Sequence, residues 1–170
     1  MSPLARTIEG IRWADRISIR WIASGRRPAL DLMMRGLTRA GDWQTWTLLS
    51  VVALAGGEPS RSIALFVLPR LLLTLLIARA IKKVSRRPRP SRSLAGFSSL
   101  LHDPDPYSFP SAHAACAWAA AISLGLLLGG WPLWIGYACA ISYSRVHVGA
   151  HYPLDVLLGG ALGALVAWLV

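Results

Sequence analysis

The chain has 170 residues, 54% of them hydrophobic, and 18 Lys and Arg against eight Asp and Glu give a formal net charge of +10. This length favours one domain, and its long apolar runs require a non-aqueous environment. Because the basic residues lie beside those runs, the charge fits a membrane surface or a phosphorylated substrate better than a nucleic-acid groove. We therefore expect an integral membrane protein that does not bind nucleic acid.

Residues 4 to 22 have the period of an amphipathic helix. Its apolar face consists of Leu4, Ile8, Ile11, Ala14, Trp21 and Ile22, and its charged face of Arg6, Glu9, Arg12, Arg16 and Arg20. A basic amphipathic helix with Trp is typical of the headgroup plane, and the alternative is a helix packed on a core. A shorter helix is predicted from Pro28 to Ala40. Residues 1–42 are thus expected to form an interfacial segment before a membrane domain at 43–170.

Five apolar segments predict an all-α bundle of about five transmembrane helices. They cover residues 43–56, 63–81, 113–130, 133–143 and 154–170. Several are shorter than the roughly 20 residues of a full span, so they must extend or cross a thinned bilayer. An aromatic belt near their ends is indicated by Trp43, Trp46, Trp131, Trp134 and Trp168.

Arg70 is the unusual residue of the second apolar segment, where Pro69 precedes it. An ionisable group in mid-span is usually paired or functional, because it is costly in lipid. The sequence does not name its partner.

Two crossings return the chain to the side of the N-terminal helix, and a third and fourth crossing return it there again. Three segments that are distant in sequence are therefore expected on the same membrane face. They are Lys82–Pro90, Ser108–His113 and Ser144–Asp155. The first alone is a basic flank, the second offers a helix start that favours an anion, and the third combines Arg, His and Asp. The four-residue spacing of His147, His151 and Asp155 also permits a metal site, but Gly149 and Pro153 interrupt the required helix, so no metal is expected.

Together these segments resemble the three signature motifs of the type 2 phosphatidic acid phosphatase superfamily, which includes bacterial acid phosphatases and vanadium haloperoxidases. Its first motif, Lys, six residues and Arg-Pro, is matched by Lys82 and Arg89-Pro90. Its second, Pro-Ser-Gly-His, is matched by Pro110–His113 with Ala112 in place of Gly. Its third, Ser-Arg, five residues, His, three residues and Asp, is matched by Ser144-Arg145, His151 and Asp155.

The resemblance implies a role for each matched residue. His151 attacks phosphorus and becomes a phosphohistidine, Asp155 fixes its tautomer, and His113 protonates the leaving group and then activates water. The phosphoryl oxygens are expected to contact Lys82, Arg89, Ser111, Ala112 and Arg145. No metal or cofactor is implied, since fixed cations can compensate the phosphoryl charge. The methyl group of Ala112 adds bulk beside the phosphate.

The expected function is hydrolysis of a lipid phosphomonoester or diphosphate. Phosphatidic acid, phosphatidylglycerol phosphate, a polyprenyl diphosphate and a polyprenyl sugar phosphate all offer the reacting group. A phosphotransferase that uses the same intermediate is the alternative. Haloperoxidases of this superfamily are soluble, which disfavours that activity here. A non-enzymatic scaffold or transporter would explain the arginines but not the spacing of His and Asp.

The expected location is the cell (inner) membrane, crossed several times. Seventeen of the 18 basic residues lie on the predicted catalytic side or within spans, and only Arg61 lies on the other face. The positive-inside rule therefore favours a cytoplasmic active site. Many bacterial members of the superfamily instead work on the outer face, which leaves that orientation as the alternative.

Overall fold

The computed structural model describes residues 2–102 and 105–170, without the side chains of Leu4, Ile8 and Trp43. Predictions for those three side chains lie outside the described residues. The described chain forms eight helices and one isolated bridge, between Pro88 and Tyr107. The helices are α1 (Pro3–Ser24), α2 (Pro28–Ala40), α3 (Trp43–Ala55), α4 (Ser60–Ser85), α5 (Pro90–Ser93), α6 (Ala112–Leu128), α7 (Trp131–His147) and α8 (Pro153–Leu169).

Every segment predicted to be helical is helical, which confirms the all-α class. Helix α2 has the predicted bounds, and α4 extends the predicted segment at both ends. The predicted 133–143 segment is part of the 17-residue α7. The short α5 was not predicted; it follows Arg89, with Pro90 at its first position, where proline fits because its missing N–H is not needed.

One described helix, α4, has the length and apolar composition needed to cross a membrane, and 28% of its most apolar stretch is buried. The stretches Gln44–Ala55, Ala112–Leu128 and Pro153–Leu169 are apolar but shorter. Many large apolar side chains on these helices are exposed, among them Leu48, Val52, Leu72, Leu76, Leu157 and Leu165. The predicted count of about five spans stays a prediction.

Helix α6 lies at the centre, in contact with α4, α7 and α8. Its buried positions are mainly alanines. On α8, a Cβ at Gly159 or Gly163 would collide with the backbone oxygen of Ser111 or Ala115. Small residues at such positions let two helices approach closely. This contact fixes the start of α6 beside the start of α8, where the Ser111 N–H donates to Asp155 O at 3.0 Å.

Helices α1 and α2 pack on the end of the bundle that carries the three motif segments. Helix α1 contacts α7 and α8 and buries Asp15 and Ile19, while Trp13 and Trp21 are 66% and 76% exposed. Helix α1 therefore has both a packed face and an exposed aromatic one. Helix α2 packs on α7 and buries Met34 and Thr38.

Arg70 finds its partners within the bundle. Its guanidinium donates to Phe66 O at 2.6 Å and to Ala167 O at 3.4 Å, and it lies 3.7 Å from the centre of the Phe66 ring. Arg70 thus satisfies carbonyl oxygens of α4 and of the last turn of α8. This gives it a structural role that the sequence could not name.

Candidate active site

A cavity of about 580 Å³ opens where α4 ends and α6 begins. Six of the eight predicted site residues line it: Lys82, Arg89, Ala112, His113, Arg145 and His151. The other two, Ser111 and Asp155, are completely buried. The three distant segments therefore meet at one place, as the counting of crossings predicts.

The link between α7 and α8 presents His151 to the cavity. Helix α7 ends at His147, and Gly149 turns the chain with φ +82°, a conformation that favours glycine. Pro153 then begins α8. The interruption expected from Gly149 and Pro153 is thus present, and it leaves His151 outside both helices, with 1% of its surface exposed.

The ring of His151 is oriented by a backbone carbonyl. Its Nδ1 lies 2.7 Å from Ser108 O, and its Nε2 lies 3.5 Å from Arg89 Nη1. Because a carbonyl only accepts, the proton of a neutral ring must be on Nδ1. The lone pair then lies on Nε2, the atom beside the cationic residues. This is the tautomer that a nucleophilic histidine needs.

The surroundings of His151 disfavour a second proton. Burial lowers its pKa well below the usual 6.5, and the charges of Arg145, Arg89 and Lys82 lower it further. His151 is therefore neutral at neutral pH. An imidazole in this state is a nucleophile ready to react.

Asp155 lies behind His151 but does not bond to it directly. Its Oδ2 is 3.9 Å from His151 Nδ1 and accepts from the Tyr152 N–H at 2.9 Å, while its Oδ1 accepts from Arg87 at 2.7 Å. In this structure the hydrogen-bond partner of His151 Nδ1 is Ser108 O, and the role expected of Asp155 stays a prediction. Asp155 remains near enough for its negative charge to act on the ring.

Three cations surround the cavity near His151. Lys82 and Arg89 each lie 3.1 Å from Asp105 Oδ2, and Arg89 also donates to Ala150 O at 3.0 Å. Burial alone would raise the pKa of Asp105, but Lys82 and Arg89 hold it below its usual value. Arg145 donates to Thr38 Oγ1. Fixed cations in a partly dry cavity form a strong site for a phosphoryl group.

His113 lies in the first turn of α6 and pairs with a carboxylate. Its Nε2 is 2.5 Å from Asp42 Oδ1, and its side chain is 21% exposed. The hydrogen bond with His113 is the main reason that the pKa of Asp42 lies below its usual value. His113 is therefore held at the rim of the cavity by a residue that immediately precedes α3.

The start of α6 completes this wall. Ser111 caps the helix, since its hydroxyl accepts from the Ala114 N–H at 3.4 Å. Ala112 is the first residue of α6, so its backbone N–H has no acceptor in a preceding turn. The expected cap is present, and the Ala112 N–H is a donor available to an anion.

Four described acidic or hydroxyl side chains of the N-terminal segment contact the motif segments or the start of α8, and none of them was predicted from the sequence. Asp15 pairs with Arg87 at 2.5 Å and accepts from the Leu154 N–H. The other three each contact one residue of the motif segments: Asp31 contacts His147, Thr38 contacts Arg145, and Asp42 contacts His113. A signal existed for Asp15 alone, because it interrupts the apolar face of α1 between Ile11 and Ile22.

His147 and His151 have separate partners and do not form the arrangement of a shared metal site. Its Nε2 lies 2.8 Å from Asp31 Oδ1, whereas His151 bonds to Ser108. Across residues 2–102 and 105–170, no three His, Cys, Asp or Glu side chains are grouped as metal ligands. His147 instead ties α7 to α2.

Comparison with known proteins places the chain in a family. The PAP2 superfamily model matches residues 63–170. Decaprenylphosphoryl-5-phosphoribose phosphatase of Mycobacterium tuberculosis is 35% identical over 151 residues, which cover 85% of this chain and 80% of the relative. Undecaprenyl-diphosphatase of Sulfolobus acidocaldarius is 30% identical over 142 residues, which cover 82% of this chain and 68% of the relative.

Two solved structures share the fold. The transmembrane PAP2-type phosphatidylglycerolphosphate phosphatase of Bacillus subtilis has a TM-score of 0.77 and 24% identity, and the match covers 94% of this chain and 84% of that one. LpxE of Aquifex aeolicus has a TM-score of 0.77 and 24% identity, with 89% and 90% covered. The resemblance seen in the three motifs is confirmed: the chain belongs to the PAP2 superfamily and is one of its membrane lipid phosphatases.

Proposed function

We propose that this chain hydrolyses the terminal phosphate of a polyprenyl lipid through a phosphohistidine on His151, without a metal ion. The observation that carries the proposal is the state of His151, whose Nδ1 is held by Ser108 O while Nε2 lies beside Arg89. Relatives named as polyprenyl phosphatases support the substrate class. The apolar part of the cavity, lined by Leu71, Leu75 and Trp46, fits a lipid tail.

In the first step, His151 Nε2 attacks phosphorus and the bond to the leaving oxygen breaks. The electron pair goes to that oxygen, which takes a proton from His113. Lys82, Arg89 and Arg145 compensate the charge of the other phosphoryl oxygens, so fixed cations supply what a metal ion supplies elsewhere. Asp155 stabilises the positive charge that develops on the His151 ring.

In the second step, His113 takes a proton from water, and the water oxygen attacks phosphorus. The N–P bond breaks, its electron pair returns to Nε2, and inorganic phosphate leaves. His113 is again protonated and His151 neutral. One water is consumed for each phosphate released.

The test is phosphate release by detergent-purified protein in excess EDTA. The substrates are undecaprenyl diphosphate and phosphatidic acid, and the variants are His151→Ala and His102→Ala. His102 is an exposed histidine outside the cavity and serves as the matched control. We expect release by the native protein and by His102→Ala, and a loss of at least about a thousandfold in His151→Ala.

A second readout addresses the intermediate. Protein quenched in base during turnover of ³²P-labelled lipid should carry label that is released by acid, as a phosphoramidate is, and His151→Ala should carry none. Release that requires a metal ion, or equal release by His151→Ala, would overturn the mechanism.

We further propose that α3, α4, α6, α7 and α8 cross the membrane and that the site faces the cytoplasm. Helix α4 has 26 residues, and the 17 residues of α6, α7 and α8 make each about 26 Å long, close to the roughly 30 Å hydrocarbon core. Helix α3, with 13 residues and about 20 Å, would cross where the bilayer is thinned. The test is a single cysteine at Ser98, an exposed position near the cavity end, in a background without Cys116 and Cys139. Labelling of intact cells by an impermeant maleimide would place the site outside.

A further inference from the structure

The wall of the cavity formed by α4 changes from cationic to apolar. Lys82, Arg79, Leu75, Leu72 and Leu68 all line it. Their spacing of three or four residues puts them on one side of the helix. At about 1.5 Å per residue, Arg79 lies about 4.5 Å and Leu75 about 10.5 Å further along α4 than Lys82. Arg79 is therefore the last cation on this wall before it becomes apolar.

Helix α4 carries two arginines within apolar sequence, and their surroundings differ. Arg70 donates to the carbonyls of Phe66 and Ala167. Arg79 is exposed and makes no hydrogen bond or ion pair with any residue that the structure describes. An ionisable group in such a helix is costly and is usually paired or functional. The charge of Arg79 is thus available to a ligand.

The position of Arg79 is defined from the opposite wall as well. Cys116, on α6, lies three residues after His113 and also lines the cavity. Arg79 lines the same cavity from α4. Arg79 therefore lies beside the space between α4 and α6, one turn from the cations that hold the reacting phosphate.

The side chains along the cavity wall follow the order of the chemical groups along a lipid substrate. The reacting phosphate fits among Lys82, Arg89 and Arg145, and the tail fits among the leucines. A cation between them fits a second negative charge between reacting phosphate and tail. A lipid diphosphate or a lipid phosphate that carries a phosphosugar has this charge, whereas phosphatidic acid has neutral esters there. The names of both curated relatives describe lipids with two phosphates.

We infer that Arg79 binds the second phosphate of the substrate and thereby selects lipids with two phosphates over lipids with one. This inference rests on the proposed function. In a diphosphate, the second phosphate is the leaving group, so Arg79 stabilises the charge that it gains as the bridging bond breaks. In a phosphosugar lipid, the second phosphate only binds. Arg79 should therefore affect kcat for a lipid diphosphate and KM for a phosphosugar lipid.

The test compares substrates with one tail and either one or two phosphates. Farnesyl diphosphate and farnesyl phosphate are hydrolysed by the native protein, Arg79→Gln and Arg79→Lys, with Lys83→Gln as control. Lys83 is an exposed cation of the same helix that does not line the cavity. We expect Arg79→Gln to lower kcat/KM for the diphosphate about tenfold to a hundredfold, the usual worth of a charge-assisted hydrogen bond.

The monophosphate rate should change less than about twofold in Arg79→Gln, because farnesyl phosphate has no second phosphate for Arg79 to contact. Arg79→Lys should restore part of the diphosphate rate, and Lys83→Gln should leave both rates unchanged. Equal losses on both substrates, no loss on either, or a native preference for the monophosphate would overturn the inference. If no lipid is hydrolysed, or His151→Ala is equally active, the proposed function itself has failed.

Discussion

His113 and His151 line the same cavity but are held by opposite kinds of partner. His151 is 1% exposed, bonds through Nδ1 to the carbonyl of Ser108, and is surrounded by cations. The His113 side chain is 21% exposed and bonds through Nε2 to the carboxylate of Asp42. Burial and the charge of Arg145 act against a proton on both histidines, but only His113 has a hydrogen-bonded carboxylate partner that favours one.

The difference in partners fits the two roles proposed for His113 and His151. A nucleophile needs a free lone pair, and a general acid needs a proton to donate. Environments that separate the protonation of two groups mark the acid and the nucleophile. The contrast between His113 and His151 is therefore the feature that mutations should test first.

The largest effect should come from removing each histidine in turn. On lipid, we expect His151→Ala to lose at least about a thousandfold and His113→Ala about a hundredfold to ten-thousandfold. With p-nitrophenyl phosphate, whose leaving group needs no proton, His113→Ala should release nitrophenol in a burst near one equivalent and then slow. His151→Ala should show no burst in stopped-flow absorbance, and a burst there would exchange the two roles.

The second largest effect concerns the ion pairs behind His151. Arg87 bonds to Asp15 and Asp155, whose side chains are 4% and 0% exposed. Arg87→Met leaves two buried carboxylates without their cation, which should destabilise the fold by about 3 kcal/mol. Thermal unfolding in detergent measures this, with the exposed Arg92→Met as control. Equal unfolding temperatures would show that these ion pairs do not stabilise the fold.

The sequence predicted which segments meet at the cavity, because motif spacing and the number of crossings constrain their positions. The ends of α4 and α7 and the starts of α6 and α8 must share a face when short connections join successive spans. Helix bounds followed from apolar runs and from signals such as Ser111 and Pro153. Their meeting point was therefore predictable, although the roles of the individual residues stay predictions.

The partners of the histidines could not be predicted in the same way. Ser108 holds His151 through a carbonyl, a group that every residue has, so no side chain signals it. Asp42 reaches His113 across 71 positions of sequence, and periodicity carries no information on such a contact. The partners of Arg70 are likewise carbonyls. What the sequence lacks is the packing of α1 and α2 on the bundle.

The pH dependence should separate the two histidines. Burial and nearby cations lower the pKa of His151, so its neutral form persists below pH 6.5 and the acidic limb of kcat/KM from this group should lie below that value. Asp42→Asn removes the carboxylate that favours a proton on His113 against the effects of burial and Arg145. The basic limb should therefore move about one pH unit lower, while the acidic limb stays in place.

The measurement is kcat/KM from pH 4 to 10, with Asp42→Glu to restore the charge. Recovery of the basic limb in Asp42→Glu would assign the shift to the carboxylate rather than to altered packing of α3. Movement of the acidic limb in Asp42→Asn would contradict the separation of the two histidines.

The smallest effect should come from substituting Thr38, which contacts Arg145, a cation that acts on both histidine sites. The charge of Arg145 acts on His151 and on Asp42, and its guanidinium donates to the Thr38 hydroxyl. Thr38→Val keeps the shape but removes this acceptor, at a cost of about 1 kcal/mol, or about fivefold in kcat/KM. Because Arg145 binds phosphate in the proposed mechanism, KM should carry the loss, and Thr38→Ser should restore it. If either pH limb moves in Thr38→Val, the hydroxyl sets the protonation of the histidines and does not merely anchor a phosphate ligand.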